Sequence, residues 1–432
     1  SLQQLKEDAL LDAETQELLT GIVSPIVLLS ATEKMKKRVA FQEIAPNLNQ
    51  LGVMLPYAPL LEVLMNKLGR PIVATSGNIS GSPIIFTDEA AQRQLSSLVD
   101  FRLTYNRRIV VPQDDSVVRF SPSSGQRIIL RRSRGMAPTM VLPESIDSKQ
   151  CLLATGSDLK STFAYTHNGN QYVSQYLGDL GSFDAQQSYR QVLNHLLELF
   201  NSKPEKILVD RHPGYFSAQF GRELAKELSV PVHRVTHHEA HFAAVLGENQ
   251  LVDSTEPTLG IVWDGTGFGD DNQIWGGEFF IYGNYRFKRL THFNYFQHLM
   301  GDKMAVEPRL SALSLAYEYR SLEKTLRKKF TSVEWQHYTR QLHIEKGLQT
   351  SSVGRLFDAV ASLLGLIDKT GYEGDAALQL ESLATDYTRK YGYQNVCTYV
   401  REINIGQPVS SSQIISHIAA ELNDVAAGLI AA

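Results

Sequence analysis

Leu259-Gly-Ile-Val-Trp-Asp-Gly-Thr-Gly-Phe-Gly269 is the most informative segment for the fold, because it joins an apolar strand to a loop that has three glycines in six residues. The turn Asp271-Asn272-Gln273 and a second strand, Ile274 to Phe280, follow it. A similar succession occurs earlier in the chain, where a strand and a loop are followed by a strand and then by a turn into another strand, at Cys151 to Ala154, Gly156 to Thr162, Phe163 to Thr166 and Asn168 to Gln171. These two units predict a weak internal duplication.

The segments between the two units alternate between helix and strand periodicity. They are a helix, a strand, a helix and a strand, at Asp184 to Phe200, Ile207 to Asp210, Ser217 to Leu228 and Val232 to Val235. This alternation predicts an α/β core with a mostly parallel inner sheet. Duplicated strand units that end in glycine-rich turns are what an actin-like, two-lobed ATPase fold requires. We therefore expect the two loops to face each other across a nucleotide cleft.

Histidines are concentrated in and just after the last of these strands. His233, His237, His238 and His241 are four of only 12 in the chain. The i, i+4 spacing of His237 and His241 places both imidazoles on one face of a helix, within reach of one metal ion. The pair also follows a strand, and α/β sheets place their sites at the carboxyl ends of strands. The alternatives are a solvated helix start and histidines that are satisfied in the core.

Two histidines cannot saturate a metal ion, so a carboxylate is needed, and Asp264 is the candidate because it ends an apolar strand. A mixed set of histidine and carboxylate ligands suits iron or zinc better than calcium or magnesium. A plain turn aspartate is the alternative for Asp264.

The glycine-rich loop also predicts phosphate binding. Around Gly265, Thr266 and Gly267, backbone N–H groups can approach phosphate oxygens that larger side chains would block. In the earlier copy, Lys160 and Thr162 add a cation and a hydroxyl group, although Lys160 could equally be a surface lysine.

The first 140 or so residues form a separate region with a second set of polar candidates. The pattern predicts an amphipathic helix, a buried strand and a helix capped by Thr87, at Pro56 to Leu68, Pro71 to Ala74 and Thr87 to about Leu98. Ser76 and Asn78 follow the strand. A β-rich segment, Val117 to Leu130, turns at Pro122 to Gly125 and leads into a basic cluster.

Arg131, Arg132 and Arg134 of that cluster could pair with a polyphosphate. The pair Asp114-Asp115 could orient these arginines or bind magnesium, and the sequence does not choose between the two. The alternative to a phosphate-binding role is a plain turn followed by a solvent-exposed basic edge. The segment Pro138 to Gln150 then predicts a linker.

Composition and the absence of certain motifs argue against several classes of protein. The net charge of -4 disfavours a general nucleic-acid binder, and Cys151 and Cys397 are too few for a disulfide framework or a cysteine zinc site. A reducing cytoplasm fits this cysteine usage. The sequence contains no apolar run long enough for a membrane span and no P-loop, Rossmann, GxSxG or CxxC motif.

Taken together, these motifs resemble the HypF family. The matching stretches in the first region are Leu51-Gly-Val-Met-Leu-Pro-Tyr57, Thr75-Ser-Gly-Asn-Ile-Ser-Gly81, Asn106-Arg-Arg-Ile109, Asp114-Asp-Ser-Val-Val-Arg119 and Leu130-Arg-Arg-Ser-Arg-Gly135. Those in the second are Gly156-Ser-Asp-Leu-Lys-Ser-Thr162, Gln175-Tyr-Leu-Gly-Asp-Leu180, His237-His-Glu-Ala-His241, Asp264-Gly-Thr-Gly-Phe-Gly269, Ile274-Trp-Gly-Gly-Glu-Phe279, Gly354-Arg-Leu-Phe-Asp-Ala-Val360 and Tyr372-Glu-Gly-Asp-Ala-Ala377.

The resemblance implies a YrdC-like nucleotide-binding domain at residues 1–142 and an actin-like domain at residues 150–432. The first would use ATP and Mg²⁺ to turn carbamate, derived from carbamoyl phosphate, into carbamoyl adenylate, with Ser76 and Asn78 in its nucleotide site. The second would pass the carbamoyl group to the C-terminal cysteine of a HypE-like acceptor protein. By position, His237, His241 and Asp264 match the family's ligands of a mononuclear iron or zinc ion. Lys160, Gly354 and Asp358 would join the second nucleotide site, and Lys160 and Asp264 would serve catalysis.

The resemblance also implies that the chain is trimmed at both ends, without the start of the YrdC-like domain and without a C-terminal Asp-Gly-Gly segment. At Val306-Glu307-Pro308-Arg309-Leu310 the family has Arg-Glu-Pro-Trp-Arg. The alternatives are an antibiotic O-carbamoyltransferase of the TobZ type, the threonylcarbamoyl modification of tRNA, and a truncated paralogue that only binds nucleotide.

Overall fold

The computed structural model describes residues 1–79, 81–121, 124–138, 150–344, 347–392 and 405–421. The chain divides into two compact α/β units: Ser1–Pro46 with Gln50–Val235, and Asn47–Asn49 with Thr236–Ala432. The predicted linker and the boundary between residues 142 and 150 fall almost wholly at residues 139–149, outside the described residues, and stay predictions. Also outside are the predicted turn residues Pro122 and Ser123, Ser80 of the Thr75–Gly81 motif, Cys397 and the apolar end Gly428–Ala432.

The first unit opens with a four-stranded sheet of order β2-β1-β3-β4. Its strands are β1 (Ile26–Ser30), β2 (Gln50–Val53), β3 (Val117–Phe120) and β4 (Arg127–Arg131). β1 pairs in parallel with β3 and antiparallel with β2, and β3 pairs antiparallel with β4. The helices are α1 (Leu2–Asp8), α2 (Ala13–Thr20), α3 (Glu33–Arg38), α4 (Phe41–Ile44), α5 (Pro59–Leu68) and α6 (Asp88–Leu95). Val27 and Leu29 of β1 pack against Leu19 and Met35 in the core of this region.

One prediction for this region is wrong. Pro71 to Ala74 is not a buried strand: it has no strand conformation, and Ile72 and Val73 are 46% and 66% exposed. No strand of the described residues pairs with this segment, so its apolar composition misled the sequence-based interpretation. The helix before it does form as α5, although Leu60 and Leu64 of its apolar face are exposed. The Thr87 cap is confirmed, since its side chain accepts a hydrogen bond from the Ala90 N–H at 3.2 Å.

A five-stranded sheet of order β7-β6-β5-β8-β9 completes the first unit. It consists of β5 (Leu152–Ala154), β6 (Ala164–His167), β7 (Asn170–Val173), β8 (Lys206–Asp210) and β9 (Val232–Val235), with α7 (Phe183–Phe200) and α8 (Phe216–Leu228) as crossover helices. β5, β8 and β9 run parallel, whereas β5, β6 and β7 form an antiparallel meander. Leu153, Tyr189 and Ile207 are fully buried between the sheet and the helices. The predicted alternation of helix and strand is confirmed.

The second unit has its own five-stranded sheet. Its strands are β10 (Thr258–Phe268), β11 (Ile274–Gly283), β12 (Arg286–His292), β13 (Phe296–Gln297) and β14 (Gln349–Thr350). β10, β11 and β12 form an antiparallel meander like that of β5, β6 and β7, as the predicted duplication requires. The outer edge of β10 pairs with no strand among the described residues, and Leu259, Ile261 and Trp263 are 60%, 57% and 53% exposed.

The glycine-rich loop predicted at Asp264 to Gly269 is instead largely strand. β10 continues to Phe268, with an irregularity in its pairing with β11 between Trp263 and Gly267. Glycine inside a strand marks a bulge or a close approach of other groups. In β10 the glycines accompany both the irregular pairing and the close approach of neighbouring side chains to Gly267. The predicted turn at Asp271 to Gln273 is confirmed, with Asn272 in the left-handed region at a φ of 61°.

Helices pack around this sheet. They are α9 (His237–Glu248), α10 (Lys303–Val306), α11 (Pro308–Ala316), α12 (Glu323–Arg327), α13 (Ser332–Leu342), α14 (Val353–Leu363), α15 (Asp375–Tyr391) and α16 (Ser411–Glu421), with a 3-10 turn at Arg320–Leu322. Ala312 and Ala316 of α11 pack against Leu356, Ala359 and Val360 of α14 in the core. Among the described residues, none of the helices is both long and apolar enough to cross a membrane.

Candidate metal and phosphate site

The histidine pair lies on the first turns of α9. β9 ends at Val235, Thr236 takes the N-cap position and His237 begins the helix, so the predicted position at the start of a helix after a strand is confirmed. The helix brings the Nε2 atoms of His237 and His241 to 3.1 Å from each other. Two nitrogens that bind one zinc ion at about 2.0–2.1 Å each lie roughly 3 Å apart. The two imidazoles are therefore spaced as ligands of one metal ion.

Asp264 of β10 supplies the third group. Its Oδ2 atom lies 3.2 Å from His237 Nε2 and 3.9 Å from His241 Nε2. The ligand atoms of His237, His241 and Asp264 all lie within 4.8 Å of one another. Asp264 Oδ2 is buried and has no well-directed hydrogen bond from the described residues. A buried carboxylate oxygen without such a bond is costly unless a cation joins it, so these three residues fit a metal ion.

The charge state of Asp264 suits this role. Burial by itself raises the pKa of this carboxyl, but the three neighbouring histidines outweigh it and lower the pKa to about 2. The group is thus an anion at neutral pH, as a metal ligand must be. His237 contributes most among the histidines, through its short contact with the carboxylate.

A third histidine, which sequence reasoning included in the cluster but not among the ligands, borders the same carboxylate. His238 is completely buried, and burial lowers its pKa to about 3 despite the attraction of Asp264, so it is neutral. Its Nε2 atom lies 3.9 Å from Asp264 Oδ2. Nothing in the sequence distinguishes this histidine from its neighbours, because burial depends on the packing of β10 and β11.

The structure brings two of the predicted phosphate-binding glycines together. A Cβ atom on Gly354, at the start of α14, would lie 2.9 Å from the Gly265 Cα atom, so only glycine allows this approach. The Ser352 hydroxyl donates to the carbonyl oxygens of Asp264 and Gly265 at 3.0 and 2.9 Å and accepts from the Arg355 N–H. The first turn of α14 is therefore fixed against the residue that holds the carboxylate, next to Thr266 and Gly267.

Asp358 and Arg355 of α14 form a buried ion pair with 2.9 Å between Nη1 and Oδ2. Burial raises the pKa of Asp358 to about 6, and Arg355 opposes this only in part. A Cβ atom on Gly265 would lie 3.8 Å from Arg355 Nη2, so the guanidinium borders the predicted phosphate site. Sequence reasoning missed Arg355, although it stands directly after Gly354 in a quoted motif.

Lys160 belongs to the other compact unit. It has a φ of 47°, and its N–H donates to Asp179 Oδ1 at 2.8 Å, which holds the loop in a tight turn. In the same loop, Asp158 accepts hydrogen bonds from the N–H groups of Phe216 and Ser217 at 2.7 and 2.9 Å and so caps α8. A catalytic role for Lys160 stays a prediction.

The candidates in the first region form two local groups. The Ser76 hydroxyl donates to Asn78 Oδ1 at 2.6 Å on an exposed turn. Arg134 pairs with Asp115 at 2.7 Å and stacks 3.5 Å over the ring of Tyr57, and Arg131 pairs with Asp114. The two carboxylates therefore orient the arginines, the first of the two predicted alternatives. Arg132 donates to the Val173 carbonyl at 3.2 Å.

Comparisons with known proteins cover most of the chain. Residues 1–133 match a family model described as "Telomere recombination", which covers the Sua5, YciO and YrdC proteins. Residues 147–248 match "HypF Kae1-like domain", and residues 260–432 match "Carbamoyltransferase, Kae1-like Domain, second subdomain".

One similar protein is the carbamoyltransferase HypF of Synechocystis sp., which is 38% identical over 87% of this chain and 50% of its own length. Another is the carbamoyltransferase HypF of Rhodobacter capsulatus, which is 36% identical over 84% of this chain and 48% of its own length. The chain thus spans about half the length of the curated relatives it matches. Over its whole length it also superposes, with a TM-score of 0.87 in each case, on full-length HypF in a phosphate- and nucleotide-bound form and on HypF of T. kodakarensis. These are 31% and 30% identical, and 66% and 56% of those chains are covered.

The fold and the site define a protein that combines a YrdC-like domain with an actin-like domain that contains a histidine–carboxylate cluster. Within that class, the chain belongs to the HypF carbamoyltransferase family.

Proposed function

We propose that this chain contains the adenylate-handling centre of an ATP-dependent carbamoyltransferase. The observation that supports this function best is the convergence of His237, His241 and Asp264 beside two close-packed glycines, in a chain of the HypF family. The reaction has two stages. The YrdC-like domain makes carbamoyl adenylate from carbamate and ATP, with release of pyrophosphate, and the actin-like domain transfers the carbamoyl group and releases AMP.

In the first stage, Ser76, Asn78 and the three arginines bind ATP with Mg²⁺. The carboxylates of Asp114 and Asp115 already hold Arg131 and Arg134 in place, so little side-chain entropy is lost when phosphate binds. Carbamoyl phosphate is the source of the carbamate, and we place the reaction in the cytoplasm because of the cysteine usage.

In the second stage, His237, His241 and Asp264 hold an iron or zinc ion. Such an ion, when bound, supplies a Lewis acid for the carbamoyl carbonyl. The backbone N–H groups around Gly265, Thr266, Gly267 and Gly354 hold the phosphate of the adenylate. Asp358 completes this nucleotide site, and Lys160 is a further nucleotide-binding and catalytic residue. The acceptor is the C-terminal cysteine thiolate of a HypE-like protein.

The metal site is tested first. The chain, loaded with Zn²⁺ or with Fe²⁺ under anaerobic conditions, should bind one metal ion, and His237→Ala and His241→Ala should each abolish binding. His337→Ala is the matched control, because His337 is an exposed histidine on a helix of the same unit. Metal content that is unchanged in both site variants would remove the cluster from the mechanism.

Transfer is tested in the full-length protein with labelled carbamoyl phosphate, ATP and Mg²⁺, because we expect turnover that forms AMP there and not in this chain by itself. The expected result is label on a peptide that ends in cysteine and none on the matching peptide that ends in serine, with AMP as the nucleotide product. Asp264→Asn should lose transfer. Label on an aminoglycoside hydroxyl group and none on the cysteine peptide would instead indicate an O-carbamoyltransferase, and the assignment of the acceptor would be wrong.

A further inference from the structure

His238 lies beside the three proposed metal ligands and has no assigned role. It is completely buried, and neither of its ring nitrogens has a hydrogen-bond partner among the residues that the structure describes. Its Nε2 atom faces Asp264 Oδ2 at 3.9 Å, and that oxygen is also buried without a well-directed hydrogen bond. Polar groups that are buried without partners are rare in native proteins and ask for an explanation.

The position of His238 is outside the ligand set. The atoms of His237, His241 and Asp264 that lie within 4.8 Å of one another form a group that His238 does not join. Its ring centroid is 6.5 Å from that of His241, whereas the rings of His237 and His241 are 4.7 Å apart. His238 therefore adjoins the carboxylate and not the point at which the other two Nε2 atoms converge.

The surrounding strands keep His238 in this place. A Cβ atom on Gly267 would lie 2.4 Å from His238 Cε1, so the imidazole fits only because β10 has a glycine there. On the neighbouring strand β11, the Trp275 ring lies 6.0 Å from the His238 ring. The cavity for this imidazole is thus built by both strands, which fix the ring next to Asp264.

We propose that His238 is a positioning residue for Asp264: when a metal ion is bound, the 3.9 Å gap between Nε2 and Oδ2 closes, and the Nε2–H donates to Oδ2 and holds the carboxylate in the orientation that binds the ion. The inference rests on the metal site proposed above. A neutral imidazole has one N–H donor, and the tautomer protonated on Nε2 presents it to the carboxylate. Carboxylates that bind metals are themselves held by hydrogen bonds, and loss of such a partner weakens metal binding about 10- to 100-fold.

Three substitutions test the role of the Nε2–H donor. The His238→Phe variant keeps a ring in the cavity without a donor, the Gln variant returns an amide nitrogen near the Nε2 position, and the Asn variant places it near Nδ1. Affinity for Zn²⁺ is measured by competition with a chromophoric chelator. We expect the Phe and Asn variants to bind about 10- to 100-fold more weakly and the Gln variant to recover most of the affinity.

The ligand set gives a second readout. The Co²⁺ absorption spectrum and the number of bound histidine nitrogens should be the same in the parent chain and in all three variants. His167→Phe is the matched control, since His167 Nδ1 is also buried without a hydrogen-bond partner among the described residues, but His167 lies on β6. Circular dichroism excludes variants that fail to fold.

The possible failures differ from one another. Parent affinity in the Phe variant, or equal weakening in the Gln and Phe variants, would overturn the donor role and leave the metal site intact. Loss of one bound nitrogen in the Phe variant would make His238 a ligand and also overturn it. A parent chain that binds no metal would overturn both this inference and the proposed site.

Discussion

At the scale of single residues, Gly267 has a more specific role than the phosphate loop that the sequence suggested. A Cβ atom there would meet His238 Cε1 at 2.4 Å and His237 Cδ2 at 2.9 Å. The glycine is therefore needed so that two imidazoles can approach the strand that bears Asp264.

Replacement of Gly267 by alanine should weaken metal binding. The added methyl group displaces His237 and His238, and we expect at least a tenfold loss of Zn²⁺ affinity, about 1.4 kcal/mol or more. Gly283→Ala is the control, because a Cβ atom at this position on β11 meets only Pro257, at 3.9 Å. Equal affinities in the two variants would show that the contact of Gly267 with the histidines is unimportant.

Asp358 gives a prediction for the dependence of stability on pH. Burial raises its pKa from 3.8 to about 6. Below about pH 4 the carboxyl is protonated in both the folded and the unfolded chain. Between pH 4 and 6 the folded chain binds more protons than the unfolded chain, so the free energy of unfolding falls as the pH rises. The Asp358→Asn variant lacks this titration, so its free energy of unfolding relative to that of the parent should rise by about 2 to 3 kcal/mol between pH 4 and pH 7. A difference that stays constant with pH in denaturant titrations would contradict this.

The sequence predicted part of the site because part of it is local. The spacing of His237 and His241 on one helix needs no knowledge of tertiary structure. Arg355 and His238 escaped prediction because what distinguishes them is burial, and burial arises from residues far away in the chain. Asp264 was a candidate ligand because it ends an apolar strand before a glycine-rich segment, and the resemblance gave it the same role; the geometry agrees with both.

At the scale of elements, β10 and the segment after α5 show where periodicity misleads. Alternating apolar residues predicted the strands β5 to β9 correctly, because each of these strands lies in a sheet. Pro71 to Ala74 is also apolar but has no partner strand in the described chain, and it is irregular and exposed. In β10, three glycines suggested a loop, yet they permit close packing within a strand.

The buried cluster around Arg309 links α11 to α13. Arg309 Nη2 lies 2.7 Å from Glu307 Oε2 and 2.8 Å from Glu334 Oε1, and its Nη1 donates to the Lys329 carbonyl. Lys303 also lies near this cluster, with its Nζ atom 3.6 Å from Glu307 Oε1. The ion pairs show that the segment is built around its own arginine.

Arg309→Met should therefore destabilise the second unit by about 3–5 kcal/mol, because it leaves Glu307 buried without its main partner. The double variant with Glu307→Gln should recover much of this loss. Thermal unfolding of both variants measures the effect. A single variant as stable as the parent would show that the ion pairs contribute nothing net.

At the scale of the whole molecule, packing divides the chain into two compact units at Val235 and Thr236. The predicted domain boundary between residues 142 and 150 falls almost wholly outside the described residues and stays a prediction. Within the first unit, Arg132 donates to the Val173 carbonyl, and its own carbonyl accepts from the Tyr176 N–H at 2.9 Å. These contacts join the first sheet to the second, and no linear pattern in the sequence indicates them.

Because the proposed metal ligands all belong to the second unit, metal binding should stabilise that unit more than the first sheet. Addition of Zn²⁺ should slow amide hydrogen exchange in α9 and β10, while the sheet of β1 to β4 exchanges as before. Mass spectrometry of proteolytic fragments resolves the two regions. Protection confined to the first sheet would place the binding site elsewhere.

The free edge of β10 has a practical consequence. Its outer backbone groups have no partner strand in the described chain, and Leu259, Ile261 and Trp263 add an apolar row along the same strand. An exposed edge of this kind is a template for aggregation by edge-to-edge pairing. Concentrated samples of this polypeptide should therefore precipitate by stacking through β10, and a charged side chain in that row would be the first measure to keep them dispersed.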